Sequence, residues 1–435
     1  MSIPLLPLIF LVAISPVAFP FDGTLVLGIW SAIVAITLIF AGAKLWLAEI
    51  SPGGSIIGTY AIITLLPALF LAFQLMPFPL TFQFANPIWQ SASAALGTPL
   101  VASVTIDTGA TLIALCRYLA WAGVALVAAS ICVDRRRAEW ILFVVTVVTV
   151  LVSLVFLVDD AEGWLDRWLD ESSDPVGRAA ALNVSALGIT LLTACALRAF
   201  ERFETHRAES EAIRSLRFNV LACLFGWIIC AIAVLVNGTP NTLFSVGGGL
   251  WTLFTVVLVR RLGFGALGLL AIVGVSCALT GEIIAAKLSQ SNGDLTLQFA
   301  QASPSTAISA RMLADGLWAG NGAGTFEGLV PIYRGANDGQ GDLKPPSTAA
   351  EVVIELGRPM LWAGVLLSLL TIAALMRASI NRGRDFFYSA AGAATLVSSI
   401  FLAFGNPGLF NSGNLIIVGV ILGLAIAQGR SRSTI

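Results

Sequence analysis

Long apolar stretches recur along nearly the whole of this sequence, each with few or no charged side chains. Hydrocarbon offers no partner for backbone N–H and C=O groups, so such stretches must form helices that satisfy those groups internally. A helix of roughly 17–25 apolar residues spans a bilayer core. By this criterion about twelve spanning helices are predicted, at approximately residues 4–20, 24–48, 56–76, 108–132, 139–158, 179–199, 218–237, 243–259, 262–285, 358–376, 386–404 and 411–428.

The composition excludes an ordinary soluble domain. The chain has 435 residues, of which 57% are hydrophobic and 11% are charged, and its mean hydropathy is +0.90. We therefore expect an all-α membrane protein in which residues 1–435 form a single polytopic domain with the lipid bilayer as a partner. The six cysteines all lie within or beside apolar runs, which is typical of buried thiols and not of disulfides.

Basic residues predict the orientation of the helices. If the N-terminus is cytoplasmic, 16 of the 24 Lys and Arg residues fall in inner segments and seven in outer ones. Cytoplasmic loops are enriched in Lys and Arg. Both termini of this multi-pass protein are therefore predicted to lie in the cytoplasm.

The longest segment that cannot lie in lipid covers residues 286–357, between predicted helices 9 and 10. It places many charged side chains among glycines and prolines. Irregular backbone at a membrane is tolerated where it meets water or protein, and binding and catalytic residues concentrate on such loops. We predict that this large extracytoplasmic loop carries the functional site.

Arginines are the strongest chemical signal on the predicted outer side. Arg178 precedes helix 6, Arg311 and Arg334 lie in the large loop, and Arg358 opens helix 10. A guanidinium fork binds phosphate oxygens bidentately, so arginines that converge would bind a polyanion such as pyrophosphate. Arg117 lies inside an apolar helix, where a charge must face a cavity or a partner.

The run from Gly320 to Phe326, GNGAGTF, is a second signal. It lacks the GK[ST] ending of a phosphate loop and is not framed by a strand and a helix, so neither a nucleotide nor a nucleic acid is expected as ligand. It predicts a turn whose amides at Gly322 and Gly324 face a substrate. The single histidine, His206, falls on the inner side, and no HExxH or DxD motif occurs, so we expect no metal and no cofactor.

Together these motifs resemble the superfamily of O-antigen ligases and Wzy-type polysaccharide polymerases. The family pattern begins with an arginine before a short helix and a glycine run, to which Arg311 and Gly320 to Phe326 correspond. It continues with an aromatic-arginine pair and with E-L-G before a spanning helix, to which Tyr333 and Glu355-Leu356-Gly357 correspond. Three further segments are similar to family segments: SVTIDTGATL before helix 4, GRAAALN with Arg178 and Asn183, and LFSVGGGLW.

The resemblance implies a metal-independent membrane glycosyltransferase of the bacterial inner membrane. Its donor would be an oligosaccharide on polyprenyl pyrophosphate at the outer face of that membrane, with other polysaccharide assembly proteins as further partners. Such a reaction needs positive charge at the leaving pyrophosphate and a base or positioned acceptor for the attacking hydroxyl. Arg311 and Arg334 fit the first need as catalytic residues, and Glu351 and Glu355, with Asp315, are the candidates for the second. The expected substrate-binding residues are Arg178, Arg358, Arg117, Gly322, Gly324 and Tyr333.

Two positions depart from the family pattern. Counting from Glu355, Pro346 and Ser347 stand where ligases have His-Asn, and Val246 replaces the arginine of an S-R-G-G segment. The family assigns a role to that histidine in ligases, so its absence favours a polymerase. The alternatives are ligase-type glycan transfer, a transporter of an anionic substrate, and a degenerate member acting as an assembly scaffold. Glu355 has a structural alternative as an anchor of helix 10 beside Arg358.

Overall fold

The structure is a computed structural model, and it describes residues 5–21, 23–47, 54–162, 175–205, 210–262, 294–300, 304–335, 343–381 and 385–429. Within these ranges the regular elements are helices, and the only β-type pairing is an isolated bridge between Phe78 and Ala102. The all-α prediction is therefore confirmed for the part of the chain that the structure describes.

The helices are numbered here in chain order. They are α1 (Leu5–Ile14), α2 (Thr24–Leu47), α3 (Gly54–Leu75), α4 (Ile88–Leu96), α5 (Thr108–Ile131), α6 (Arg135–Glu162), α7 (Pro175–Thr205), α8 (Ser210–Asn237), α9 (Pro240–Leu262), α10 (Leu295–Gln298), α11 (Pro304–Ala314), α12 (Phe326–Tyr333), α13 (Thr348–Leu356), α14 (Arg358–Asn381), α15 (Phe386–Gly405) and α16 (Ser412–Gly429). A short 3₁₀ helix, Ser15–Ala18, extends α1.

Among the described residues, eight helices are long and apolar enough to cross a membrane, and they lie within α5 to α9 and α14 to α16. Shorter apolar helices cover Leu5–Ala18, Thr24–Phe40 and Ile63–Leu75. Each of these helices coincides with a predicted span. The helix predicted at 262–285 lies outside the described residues, so the total of about twelve stays a prediction. The chain is a multi-pass, α-helical membrane protein.

Local side-chain chemistry sets where two of the helices begin. The Asp107 carboxylate accepts hydrogen bonds from the N–H groups of Gly109 and Ala110, at 2.8 and 3.0 Å, and so caps α5. Ser347 Oγ accepts from Ala350 N at 3.2 Å and caps α13. These side chains satisfy N–H groups that have no partner within their own helix.

Helices α7, α15 and α16 form the centre of the bundle, since 78% of the most apolar 18-residue stretch of each helix is buried. Small residues let their neighbours approach closely. A Cβ at Gly249 of α9 would lie 2.3 Å from Ser398 Oγ on α15 and 2.4 Å from Thr190 Cγ2 on α7. Close backbone approach of this kind is how helices associate in lipid, where no hydrophobic force drives them together.

One end of the bundle carries basic residues and is called the basic end here. Arg135, at the start of α6, pairs with Asp385 ahead of α15 at 3.3 Å. Arg260, near the end of α9, donates to the carbonyl oxygen of Ser379 on α14 at 3.1 Å. The described segments that the sequence assigns to the cytoplasmic side therefore meet at one end.

The opposite end, called the loop end, gathers residues 76–107, 294–300, 304–335, 343–357 and 406–411. The described parts of the predicted 286–357 loop have a small core of their own, separate from that of the bundle. Its buried members include Ile308, Met312, Phe326, Leu329, Val353 and Ile354, from α11, α12 and α13. This core makes the loop a folded cap on the helices.

Candidate functional site

The glycine run forms a tight turn whose backbone only glycine can adopt. Gly320, Gly322 and Gly324 have φ angles of 73°, 110° and 76°, in the region that L side chains rarely enter. A Cβ at Gly322 would lie 2.0 Å from Thr105 Oγ1, and one at Gly320 would lie 2.2 Å from the carbonyl oxygen of Glu355. The turn is thus pressed between the segment before α5 and the end of α13.

Glu355, on α13, binds this turn through both its side chain and its backbone. Its carboxylate accepts hydrogen bonds from Gly324 N at 2.8 Å and Phe326 N at 3.1 Å, and its carbonyl oxygen accepts from Gly322 N at 2.9 Å. A carboxylate here accepts hydrogen bonds from N–H groups that have no partner within α12. Its negative charge also interacts favourably with the positive end of the helix dipole. The amides of Gly322 and Gly324, predicted to face a substrate, are therefore bonded to Glu355 within the chain.

The buried side chain of Gln74, at the end of α3, ties the same turn to the bundle. Its Nε2 donates to the carbonyl oxygens of Ala319 at 2.9 Å and Glu355 at 3.1 Å, and its Oε1 accepts from Ala323 N at 3.2 Å. Thr111 Oγ1 adds a bond to the carbonyl of Ala323 at 3.0 Å. Sequence reasoning missed Gln74, whose one signal is an amide near the end of an otherwise apolar helix.

Asn321 joins three segments at the loop end. Its backbone N–H and its Nδ2 both donate to the carbonyl of Ile354 at 3.1 Å. Its Oδ1 accepts from Asn86 Nδ2 at 3.1 Å, and its carbonyl accepts from Ile106 N at 2.9 Å. The turn, α13 and the segment between α3 and α5 therefore form one hydrogen-bonded unit.

Glu351 lies one helical turn before Glu355, so both carboxyl groups leave the same face of α13. Burial, followed by the charge of Glu355, raises the pKa of Glu351 well above the usual range of a carboxyl, while Arg117 lowers it. Burial also raises the pKa of Glu355, against the lowering effect of its N–H donors and of Arg117. Glu355 is buried and Glu351 is half-buried, and the charge of Arg117 acts on both carboxyl groups.

Arg117, on α5, lowers the pKa of both carboxyl groups through its charge. It also borders a cavity between α2, α5 and α16, together with Trp30, Trp121 and Ser412. The sequence predicts that an arginine inside an apolar helix faces a polar cavity or a carboxylate; this cavity is lined mainly by apolar side chains, and the influence of the two carboxyl groups agrees with the second alternative. Arg117, Glu351 and Glu355 are thus three predicted site residues whose charges interact.

Of the two arginines in the described part of the large loop, Arg311 is exposed and Arg334 is half-buried. Arg311, in the last turn of α11, donates from Nη1 to the carbonyl oxygen of Tyr333 at 2.7 Å. The Tyr333 hydroxyl hydrogen-bonds with Asp315, and burial together with that carboxylate raises its pKa. Because Arg334 follows Tyr333 directly, the segments carrying the two predicted catalytic arginines are in contact.

The two other predicted arginines belong to different surroundings. Arg358 is exposed and pairs with Asp294 at 2.8 Å, which ties the start of α14 to the segment before α10. The sequence leaves Glu355 a structural alternative as an anchor of α14 beside Arg358. Its carboxylate instead binds the glycine turn. Arg178 lies in the first turn of α7, at the loop end. The preceding residue, Gly177, packs so closely against Phe19 that a Cβ there would lie 2.3 Å from the Phe19 carbonyl oxygen.

A second polar group, centred on Asn406, lies under the loop. The Asn406 Nδ2 donates to Asn183 Oδ1 and to Thr242 Oγ1, both at 3.0 Å, and its carbonyl accepts from Thr348 Oγ1 at 3.1 Å. These contacts join α7, α9 and α13 where α15 ends. Of this group, sequence reasoning singled out Asn183 alone.

This geometry defines a class of protein: a multi-pass, α-helical membrane protein with a folded, charged cap at one end. No protein-family model and no curated protein match the chain. Within the described residues, no group of three or more His, Cys, Asp or Glu side chains is arranged to hold a metal ion. The functional assignment therefore depends on the chemistry of the cap.

Proposed function

We propose that this protein is a metal-independent glycosyltransferase that polymerises glycan repeat units carried on polyprenyl pyrophosphate, at the outer face of a bacterial inner membrane. The observation that supports it most is that α13, which carries Glu351 and Glu355, packs in one folded cap with α11 and α12, which carry Arg311 and end at Arg334. The charge of Arg117 acts on both carboxyl groups of α13. The motif resemblance to the O-antigen ligase and Wzy-type polymerase superfamily supports the same chemistry.

The reaction joins the anomeric carbon of the donor glycan to a hydroxyl oxygen of the acceptor. As that bond forms, the bond from the anomeric carbon to the pyrophosphate oxygen breaks, and the hydroxyl proton passes to a base. Lipid pyrophosphate is a stable leaving anion, so positive charge placed near it is the main requirement. A base whose pKa lies close to the working pH completes the requirements.

Glu351 is the better candidate for the base. Its raised pKa makes its carboxylate a stronger proton acceptor than an ordinary one, and Arg117 favours the ionised form that must accept the proton. The Glu355 carboxylate already accepts two backbone N–H bonds, so we assign it the role of a positioning residue that holds the glycine turn. Both assignments keep the predicted carboxylates in the site but separate their roles.

Arg311 and Arg334 would bind the pyrophosphate of the donor. The Arg311 side chain is exposed and donates from Nη1 to the Tyr333 carbonyl, and a guanidinium fork matches phosphate oxygens bidentately. Arg117 and Arg178 lie deeper at the same end and are proposed to face the bound substrate. Gly322, Gly324 and Tyr333 would shape the backbone of this pocket, and Arg358 would stand at its rim, paired with Asp294.

The proposal is tested with purified protein in nanodiscs that contain lipid-linked repeat units. The native protein should lengthen the glycan on its lipid carrier. Glu351→Gln should lower turnover by roughly 10²–10⁴-fold, because the amide cannot accept the proton. Arg311→Lys should lower it by roughly 10²–10³-fold, because lysine keeps the charge but lacks the planar fork. The control Arg377→Lys, exposed at the basic end, should keep native turnover.

The products separate the alternatives. Transfer of the glycan to a different acceptor without lengthening would replace the polymerase by a ligase-type enzyme. Complete absence of turnover by native protein would favour a transporter or an assembly scaffold. Native turnover by a folded Glu351→Gln variant would remove Glu351 as the base.

A further inference from the structure

The surface between α3 and α5, residues 76–106, is uncharged and apolar although it lies at the loop end. No Asp, Glu, Lys, Arg or His occurs between residues 50 and 106, and α4 has no buried residue. Met76, Leu96 and Val101 are 53%, 65% and 67% exposed. Exposed apolar surface of this extent marks an interaction site, because a water-facing loop normally carries charged residues.

This surface continues the lipid-facing side of α3. That helix packs mainly against α5 and exposes Leu65, Leu66 and Leu69 on its free side. At and beyond its end, aromatic rings of residues 73–84 contact one another, and Phe78 and Phe82 stack with ring centroids 4.1 Å apart. Apolar surface therefore extends without a charged break from the spanning helix into the loop end.

From this continuity we propose that residues 76–106 form a lipid-docking platform that rests in the headgroup region of the bilayer, beside the site. An amphipathic helix without basic residues binds a bilayer through its apolar area, and aromatic side chains are enriched at headgroup level. The occupant of the platform is thus the surface of the leaflet next to α3. This inference does not depend on the proposed function.

The platform also fixes the depth of the glycine turn. Asn86 Nδ2 bonds Asn321 Oδ1 at 3.1 Å, and Ile106 N bonds the Asn321 carbonyl at 2.9 Å. Within the platform, Trp89 Nε1 donates to the Thr105 carbonyl at 3.1 Å and holds α4 against the segment before α5. Through these bonds, seating the platform in lipid holds the turn at the level where lipid headgroups lie.

Site-directed spin labelling tests the proposal in the full-length protein. Single cysteines replace Leu96, Val101 or Ala94 in a variant without the six native cysteines, and each labelled protein is reconstituted in neutral phospholipid liposomes. Ala94 is the matched control, because it is exposed and lies 160° around α4 from Leu96 at 100° per residue. Thermal unfolding and size-exclusion profiles show whether each variant keeps its fold.

Labels at Leu96 and Val101 should collide more often with oxygen, which concentrates in lipid, than with a water-soluble nickel chelate. The label at Ala94 should show the reverse preference. Free access of nickel to all three labels would overturn the proposal and leave the surface for a soluble ligand such as a glycan. Protection of Leu96 and Val101 from both reagents would also overturn it, because a protein surface, such as a second copy of this chain, would then cover them.

Discussion

At the residue scale, Glu351 and Glu355 are separated by one turn of α13 but are held by different kinds of contact. Glu355 receives two backbone N–H donors at 2.8 and 3.1 Å, which favour its ionised form. Glu351 meets the field of Arg117 and the opposing charges of Glu355 and Glu327. The pKa of Glu351 is therefore the more strongly raised of the two, and the fraction of Glu351 that is ionised at the working pH can act as the base. Protons leave such pairs in coupled steps.

The raised pKa values of this pair predict how stability changes with pH. In the range between the ordinary carboxyl pKa and the raised values, the folded protein binds more protons than the unfolded chain, so the free energy of unfolding falls as pH rises. The melting temperature in detergent should accordingly decrease from about pH 5 to about pH 9. Glu351→Gln removes one of the two groups and should flatten this decrease.

Asp294→Asn is the matched control, because it removes a carboxyl at the same end that pairs with the exposed Arg358. Its melting temperature should follow the pH dependence of the native protein. A Glu351→Gln variant with the full native decrease would show that Glu351 holds no extra proton in the folded state.

At the element scale, the glycine turn is the part of the cap most sensitive to an added methyl group. In Gly322→Ala the new Cβ would meet Thr105 Oγ1 at 2.0 Å, on a backbone with φ of 110°. Strain at such a φ and overpacking each cost about 1–3 kcal/mol. Chemical unfolding in detergent should show this loss of stability.

Gly328→Ala is the comparison, because Gly328 lies within α12 and nothing stands within 4 Å of a Cβ there. Alanine is favoured over glycine in a helix, so this variant should be as stable as the native protein or more stable by about 0.5–1 kcal/mol. Equal stability of both variants would mean that Gly322 does not pack against Thr105 as described.

The elements differ in how far the sequence predicts them. Apolar runs locate the spanning helices because their period and length are local properties, and Asp107 is recognisable as a cap for the same reason. Gln74 and Asn406 carry no charge and no motif, and Gln74 meets a partner 281 positions away. Contacts of this kind depend on how the helices pack, and helix packing cannot be recognised from local patterns in one sequence. The pairing of Arg358 with Asp294 was missed for the same reason.

At the scale of the whole molecule, the two ends of the bundle differ in charge and in structure. Basic side chains and short contacts between helix ends form one end, and the folded cap forms the other. Helix α9 ends at Leu262 at the basic end, and α10 begins at Leu295 at the loop end. The span predicted at 262–285 falls between these two helices, outside the described residues, and stays a prediction.

Orientation in the membrane is predicted by the basic residues: the basic end should face the cytoplasm. On a background without native cysteines, Ala314→Cys, at the end of α11, should react with a membrane-impermeant thiol reagent in intact spheroplasts. Arg377→Cys, exposed near the basic end, should react only after lysis. The opposite pattern of labelling would invert the topology and place the cap inside the cell.

The bonds of Gln74 also bear on how the protein is made. At about 5–20 residues per second, roughly 15–60 s separate the synthesis of Gln74 from that of Glu355, 281 positions later. During that interval α3 is already synthesised, but the carbonyl and amide groups that Gln74 will bind do not yet exist. Until then, water or lipid headgroups at the end of α3 must satisfy the Gln74 amide. We therefore expect α3 to reach its final packing only after the cap has been synthesised.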